Sequence, residues 1–202
     1  MSICTVEKLT HGFGDRGIFE DVSFRLLKGE HVGLIGANGE GKSTFMSVLT
    51  NQLQPDEGKI TWASKVRVGY LDQHSTLSKG LSIRDILQQA FSYLFDAEKE
   101  ILALYEQMAN DTEMDMDSAL ETIGILQDTL DHHGFYTLDI KIEEVAGALG
   151  LSSLGLECDV DDLSGGQRKK VLLAKLLLEE PDILLLDEPT NYLDESHIVW
   201  LK

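Results

Sequence analysis

Nine consecutive residues constrain this chain more than the rest of it: Gly36-Ala37-Asn38-Gly39-Glu40-Gly41-Lys42-Ser43-Thr44. They fit the pattern G-x-x-x-x-G-K-[ST], in which a glycine turn joins a buried strand to a helix. The apolar run His31-Val32-Gly33-Leu34-Ile35 predicts that strand, and Thr44 to Leu53 predicts the helix, with Phe45, Met46, Val48, Leu49 and Leu53 at helical spacing. Gly36, Gly39 and Gly41 accept positive φ and put no Cβ in the way, so the backbone can wrap an anion. The loop amides, those of Asn38, Glu40 and Thr44 among them, and the positive end of the helix then suit phosphate. Lys42 would reach terminal phosphates, and the Ser43 hydroxyl would ligate Mg²⁺. An ordinary glycine turn is the competing reading.

Size and charge narrow the class. A length of 202 residues suits one large domain or one domain with an insertion. No run approaches the ~18 apolar residues of a membrane span, and the start, Met1-Ser2-Ile3-Cys4, does not read as a secretory leader. Cys4 and Cys158 lack metal or redox spacing and are expected to be buried thiols in a reducing, cytoplasmic setting. The net charge is −18, and residues 85–145 alone carry fifteen Asp/Glu against two Lys/Arg. That surface repels phosphate backbones and argues against broad nucleic-acid binding by this chain.

The first third reads as sheet: Asp21–Leu26 alternates with period two, and so does Lys65–Leu71. Pro55-Asp56-Glu57-Gly58 ends the helix after the glycine loop. Residues 82–150 change character. Ile101, Leu104, Tyr105 and Met108 share one helical face, Ala119, Ile123, Leu126 and Leu130 share another, and Asn110–Asp117 between them is polar. This predicts an acidic helical hairpin, with two ordinary surface helices as the alternative. The adjacent His132 and His133 cannot share a helix face and do not suggest a metal site. Gly165–Glu179 predicts one more helix, stopped by Pro181, and Ile183-Leu184-Leu185-Leu186 a central parallel strand.

Two further constellations follow. Asp187 and Glu188 end the central strand, where open α/β sheets bind ligands. Asp187 is placed to hold Mg²⁺, and Glu188 to orient and deprotonate an attacking water; a solvent-facing acidic pair is the alternative. Leu163-Ser164-Gly165-Gly166-Gln167 opens a helix that Ser164 can cap while the glycines expose its first amides. That makes a second anion-binding helix start, or a plain cap.

Taken in order, these pieces resemble the ATP-binding-cassette family: Walker A at 36–44, a Q-loop glutamine at Gln73, the signature at 163–167, Walker B at 183–187 with Glu188, and a D-loop at Asn191-Tyr192-Leu193-Asp194. The resemblance implies an α/β P-loop NTPase fold with a mixed or parallel core sheet, an antiparallel β subdomain and a helical subdomain carrying an inserted helical hairpin. It implies ATP and Mg²⁺ as cofactors. Phe13 would stack on adenine, unless it is a core or loop aromatic. Gln73 would sense the γ-phosphate through Mg²⁺, completing a catalytic set with Glu188 and Lys42, and Asp194 would contact an opposing cassette.

The run Asp187-Glu188-Pro189-Thr190-Asn191-x-Leu193-Asp194 is similar to the ABC-F branch, whose members carry two cassettes in one chain and often act on ribosomes. The acidic hairpin is similar to that branch's arm; Tyr192 stands where the branch often has His. The resemblance divides the chain into 1–81 (β subdomain and first half of the nucleotide core), 82–162 (helical subdomain with the arm-like insertion) and 163–202 (signature helix, Walker B and D-loop). It leaves the 202-residue domain short of a switch histidine, because His197 is too near the D-loop and reads as an ordinary helix residue. The expectation is an N-terminal cassette of a longer protein, needing a second cassette (in the same chain, or as a homodimer of the fragment). The ribosome is the expected partner, without stable membrane insertion. The nucleotide-binding subunit of a membrane transporter is the rival, with a DNA-repair or chromosome ATPase head a distant third.

Overall fold

The computed structural model describes residues 2–72, 75–110 and 115–201. They separate into two compact units, Met1–Ser75 with Pro181–Pro189, and Thr76–Glu180 with Thr190–Lys202. The segment 163–202 is therefore divided: its strand belongs to the first unit and its signature helix to the second.

In the first unit, β1 (Ser2–Phe13) pairs antiparallel with β2 (Arg16–Leu27) and, on its other edge, with β3 (Glu57–Trp62). The predicted alternation at Asp21–Leu26 lies within β2 and ends on buried Leu26. The helix after the glycine loop, α1 (Lys42–Leu49), stops one turn earlier than its apolar spacing predicts. Asn51 turns left-handed at φ 59°, and the Trp62 indole donates to the Leu49 carbonyl at 3.1 Å, tying the helix end to β3. Buried Cys4, Val6, Leu9, Leu26, Val48, Leu49 and Leu185 form the core. Burial pushes the Cys4 thiol up to about 11, as an apolar site does to any group that ionises to an anion. Cys158 is half-buried, and both thiols are free.

A second, parallel sheet in this unit joins β4 (Val68–Leu71) to β5 (Ile183–Leu186) in the register Val68↔Ile183 to Leu71↔Leu186. The Asp182 carboxylate accepts the Arg67 N–H at 2.8 Å and sets that register. Two expectations change here. β5, predicted as central, pairs with one strand among the described residues. The run His31–Ile35, predicted as a buried strand, forms no strand and is exposed, Ile35 at 96%. A strand exists through its ladder, and neither β4 nor β5 supplies one to this run. Val32 and Leu34 instead line an apolar cavity of about 220 Å³ with Phe24, Phe45 and Leu185.

The second unit is helical: α2 (Ile83–Gln88), α3 (Ser92–Asn110), α4 (Met116–His132), α5 (Leu138–Ala148), α6 (Gly165–Leu178) and α7 (Glu195–Leu201). A capping box at Ser82 and Asp85 starts α2. The Ser82 hydroxyl and backbone N–H, both donating to the Asp85 carboxylate, hold it below the usual carboxylate range. The Arg84 guanidinium bonds the Glu157 carboxylate at 2.7 Å and sits 3.1 Å from Asp139 and 3.7 Å from Glu143. Helices α3 and α4 are the predicted hairpin. Gln127 reaches the Tyr105 hydroxyl, and Tyr93 and Phe95 meet His133 and Phe135, so low numbers on α3 face high numbers on α4 and the pair is antiparallel. The predicted α4 face holds, with Ala119, Ile123 and Leu130 buried and Leu126 half-buried. On α3 only Ile101 is buried: Leu104 and Met108 are half-buried and Tyr105 is 45% exposed, because the distal part of the hairpin packs against its partner helix alone. Of the polar connection, 111–114 lies outside the described residues; Asp115 caps α4 by accepting the Ser118 N–H. Among the described residues no helix is long and apolar enough to cross a membrane.

Candidate functional site

The glycine loop stands on α1. Gly41 occupies its N-cap with φ 96°, a conformation that disfavours a side chain, and its carbonyl accepts the Phe45 N–H at 2.8 Å. The first amides of the helix thus lie at the cavity that Lys42, Ser43 and Thr44 help to line.

Side chains brace the loop from within. The Lys42 ammonium donates to the Gly36 and Ala37 carbonyls at 2.9 and 3.0 Å. The Glu40 carboxylate accepts the Ala37 N–H at 2.6 Å, so that amide already holds an anionic oxygen of the kind a phosphate presents. The Arg16 guanidinium donates to the Gly39 carbonyl at 3.1 Å from the first residue of β2.

One cavity of about 470 Å³ gathers Phe13, Asn38, Gly39, Gly41, Lys42, Ser43, Thr44 and Glu188, with Arg16 and Ile18. Phe13 is 55% exposed at the end of β1, its ring edge-on to His11. Glu188 arrives from β5 with φ 48°, a strained value for a residue with a side chain. Beside it Asp187 is buried, and its Oδ2 has no hydrogen-bond partner among the described residues. A buried carboxylate oxygen left bare is costly unless something binds it, which suits a cation. Burial pushes the nearby Tyr70 phenol up; a Ser47 hydrogen bond opposes the shift, and Asp187 and Asp72 add to it. Asp187 and Ser47 of α1 therefore both lie close to Tyr70, and Ser47 in turn donates to the Ser43 carbonyl at 3.0 Å.

Sequence reasoning missed Arg16 and Ile18. Arg16 had a visible cue, a cation three residues past Phe13 at the start of the next strand. Ile18 had none: its role comes from a close approach, since a Cβ built on Gly41 would meet Ile18 Cγ2 at 2.1 Å. Replacing Gly41 with Ala is accordingly expected to weaken Mg·ATP binding about tenfold or more, since a left-handed alanine alone costs about 1–2 kcal/mol. A fluorescence titration checks this; affinity within twofold of the original would contradict it.

The other predicted residues lie in the second unit or outside the description. Gln73 is outside the described residues. Ser164 caps α6 in a reciprocal box, its hydroxyl accepting the Gln167 N–H at 3.3 Å and its own N–H donating to Gln167 Oε1 at 2.8 Å. Both readings of this motif survive, because Gly165 and Gly166 remain exposed with open space about their Cα atoms. Asp194 accepts the His197 N–H at 3.3 Å and pairs with the His197 imidazole, and that histidine is buried on α7.

A family model described as ABC transporter matches residues 19–191. The chain is 64% identical over its whole length to an uncharacterized ABC transporter ATP-binding protein, YfmM, of Bacillus subtilis, of which it spans 39%. It is 34% identical over 187 residues, 93% of the chain, to the energy-dependent translational throttle protein EttA of Escherichia coli K12, of which it spans 33%. The chain thus covers well under half the length of these relatives. In fold it matches an ATP-binding subunit of an ABC transporter with a TM-score of 0.67 at 21% identity, covering 99% of this chain and 72% of that one. A glycine loop at the start of a helix, an acidic pair after a parallel strand, and a family match across most of the chain agree: it belongs to the ATP-binding-cassette family.

Proposed function

We propose that this chain is the ATP-binding and hydrolysing cassette of an ABC-F type protein that works on the ribosome from the cytoplasm. The observation that carries the nucleotide half is the single cavity that joins the Lys42–Thr44 loop end, an exposed aromatic and Glu188, next to the bare oxygen of Asp187. The residues fit a magnesium nucleotide. Loop amides, Lys42 and the start of α1 would hold the phosphates, with phosphate displacing Glu40 from the Ala37 N–H. The Phe13 face would take the base. Ser43 and Asp187, with Gln73, would hold Mg²⁺, which would supply positive charge against that developing on the phosphates. Glu188 would accept the proton of the attacking water.

Cassettes of this family work in pairs. The unspanned length of the relatives leaves room for a second cassette, whose Walker A would face this chain's Ser164–Gln167 and Asp194, while Gly36–Ser43 here would face the partner's signature. The exposed glycines at the start of α6 support that role. The 202 residues alone would bind nucleotide and turn it over slowly or not at all.

The ribosomal half rests on the EttA relative and on the acidic α3–α4 hairpin, which would serve as an arm. Its test is co-sedimentation of the full-length protein with ribosomes, using Glu188→Gln to hold the ATP state. ATP-dependent retention is expected. Partition with membranes instead would support the transporter reading and overturn this one.

A further inference from the structure

His11 is buried, yet neither ring nitrogen has a hydrogen-bond partner among the described residues. An imidazole held dry and unpaired is unfavourable, so its position calls for a reason. The surroundings supply one. Asp56 grips β1 on both sides of it: the Asp56 N–H donates to the Thr10 carbonyl at 3.0 Å, and its Oδ2 accepts the Gly12 N–H at 2.8 Å. The same Oδ2 lies 3.6 Å from His11 Nδ1, just beyond a hydrogen bond. On its other side the imidazole meets the Phe13 ring edge-on, with centroids 5.0 Å apart and planes at 85°. Behind it stands Phe19, 6.0 Å away, which in turn packs edge-on against Phe45 of α1. Phe13 is otherwise largely open to solvent.

We propose that His11 is a positioning residue: anchored through Asp56, its imidazole sets the angle at which Phe13 offers its face to a nucleobase. A small rotation brings Nδ1–H onto the Asp56 carboxylate, and the ring edge carries that constraint to Phe13, since edge-to-face contacts are directional. The contacts through Phe19 to Phe45 link the same array to the helix beneath the phosphate loop, so the base end and the phosphate end of the cavity share one packed row. This rests on the reading of Phe13 as the base platform.

The test uses the full-length protein and its steady-state ATP hydrolysis, with inorganic tripolyphosphate, which has no base, as a competitive inhibitor. His11→Phe keeps the ring but removes the nitrogens. Asp56→Asn keeps an acceptor for the Gly12 N–H but removes the charge. Each is expected to raise the KM for ATP about fivefold with kcat within twofold. The double variant is expected to be no worse than either single one, because both break one coupled pair. The inhibition constant for tripolyphosphate should not move. An unchanged KM in both single variants, a fully additive double variant, or an equal loss toward tripolyphosphate would each overturn the proposal. Phe13→Ala separates it from the reading beneath it: if that change leaves the KM for ATP unmoved, Phe13 is not the platform and the role of His11 falls with it.

Discussion

Glu188→Gln is expected to cut ATP turnover by about 10²- to 10⁴-fold, the usual contribution of a positioned proton acceptor, while Mg·ATP binding stays within a few-fold. Glutamine preserves the shape of the side chain and its reach into the cavity, but it cannot accept the water proton. The backbone strengthens the case. Glu188 sits at φ 48° two residues past the end of a four-residue strand, and such a conformation persists only where the surroundings over-determine it. The turn re-aims the chain, so Asp187 is buried while Glu188, one residue on, lines the open cavity. The two carboxyls thereby receive different environments and can take different tasks, one toward a cation and one toward water. Phosphate release measured beside a nucleotide titration decides the matter. Turnover within threefold of the original would remove Glu188 from the chemistry.

Lys42→Met is expected to lower Mg·ATP affinity about 100-fold, because hydrogen bonds to charged groups contribute about 1.5–3 kcal/mol each and more than one would be lost. Methionine keeps an unbranched stem, so the comparison isolates the ammonium. That ammonium serves two ends. It braces the loop through the Gly36 and Ala37 carbonyls, and it supplies the cation that phosphate oxygens would meet. A melting curve separates the two. Lost affinity with an unshifted melting temperature assigns the effect to the missing charge at the phosphates. Full affinity in the variant would contradict the assigned role.

These predictions depend on different parts of the chain, and so does their legibility. The glycine loop was readable because its chemistry is local: glycine, lysine and hydroxyl at fixed spacing, on a helix whose N-cap is itself part of the motif. The Ser164 cap, the α4 face and the β5 strand were readable for the same reason, since caps and periodicities involve residues a few positions apart. His31–Ile35 was misread because apolar alternation says only that a segment could be a strand. Whether it becomes one depends on a ladder partner, and among the described residues none is supplied to it. The helix after the loop was drawn too long, because the left-handed Asn51 and the Trp62 contact to Leu49 override a continuing apolar pattern.

The kinds of group this chain brings to a nucleotide were determined by its sequence: a cation, a hydroxyl, two carboxylates and a helix start, each specified by neighbours in the chain. Their assembly was decided by the tertiary structure. Only the fold brings Phe13, from the end of β1, and Glu188, from the end of β5, to the cavity at the loop, lays Ile18 against Gly41, and seats His11 between Asp56 and Phe13. Apart from the His11–Phe13 contact, these join residues far apart in sequence. Their closeness follows from strand pairing and core burial over the whole unit, and no local pattern records it.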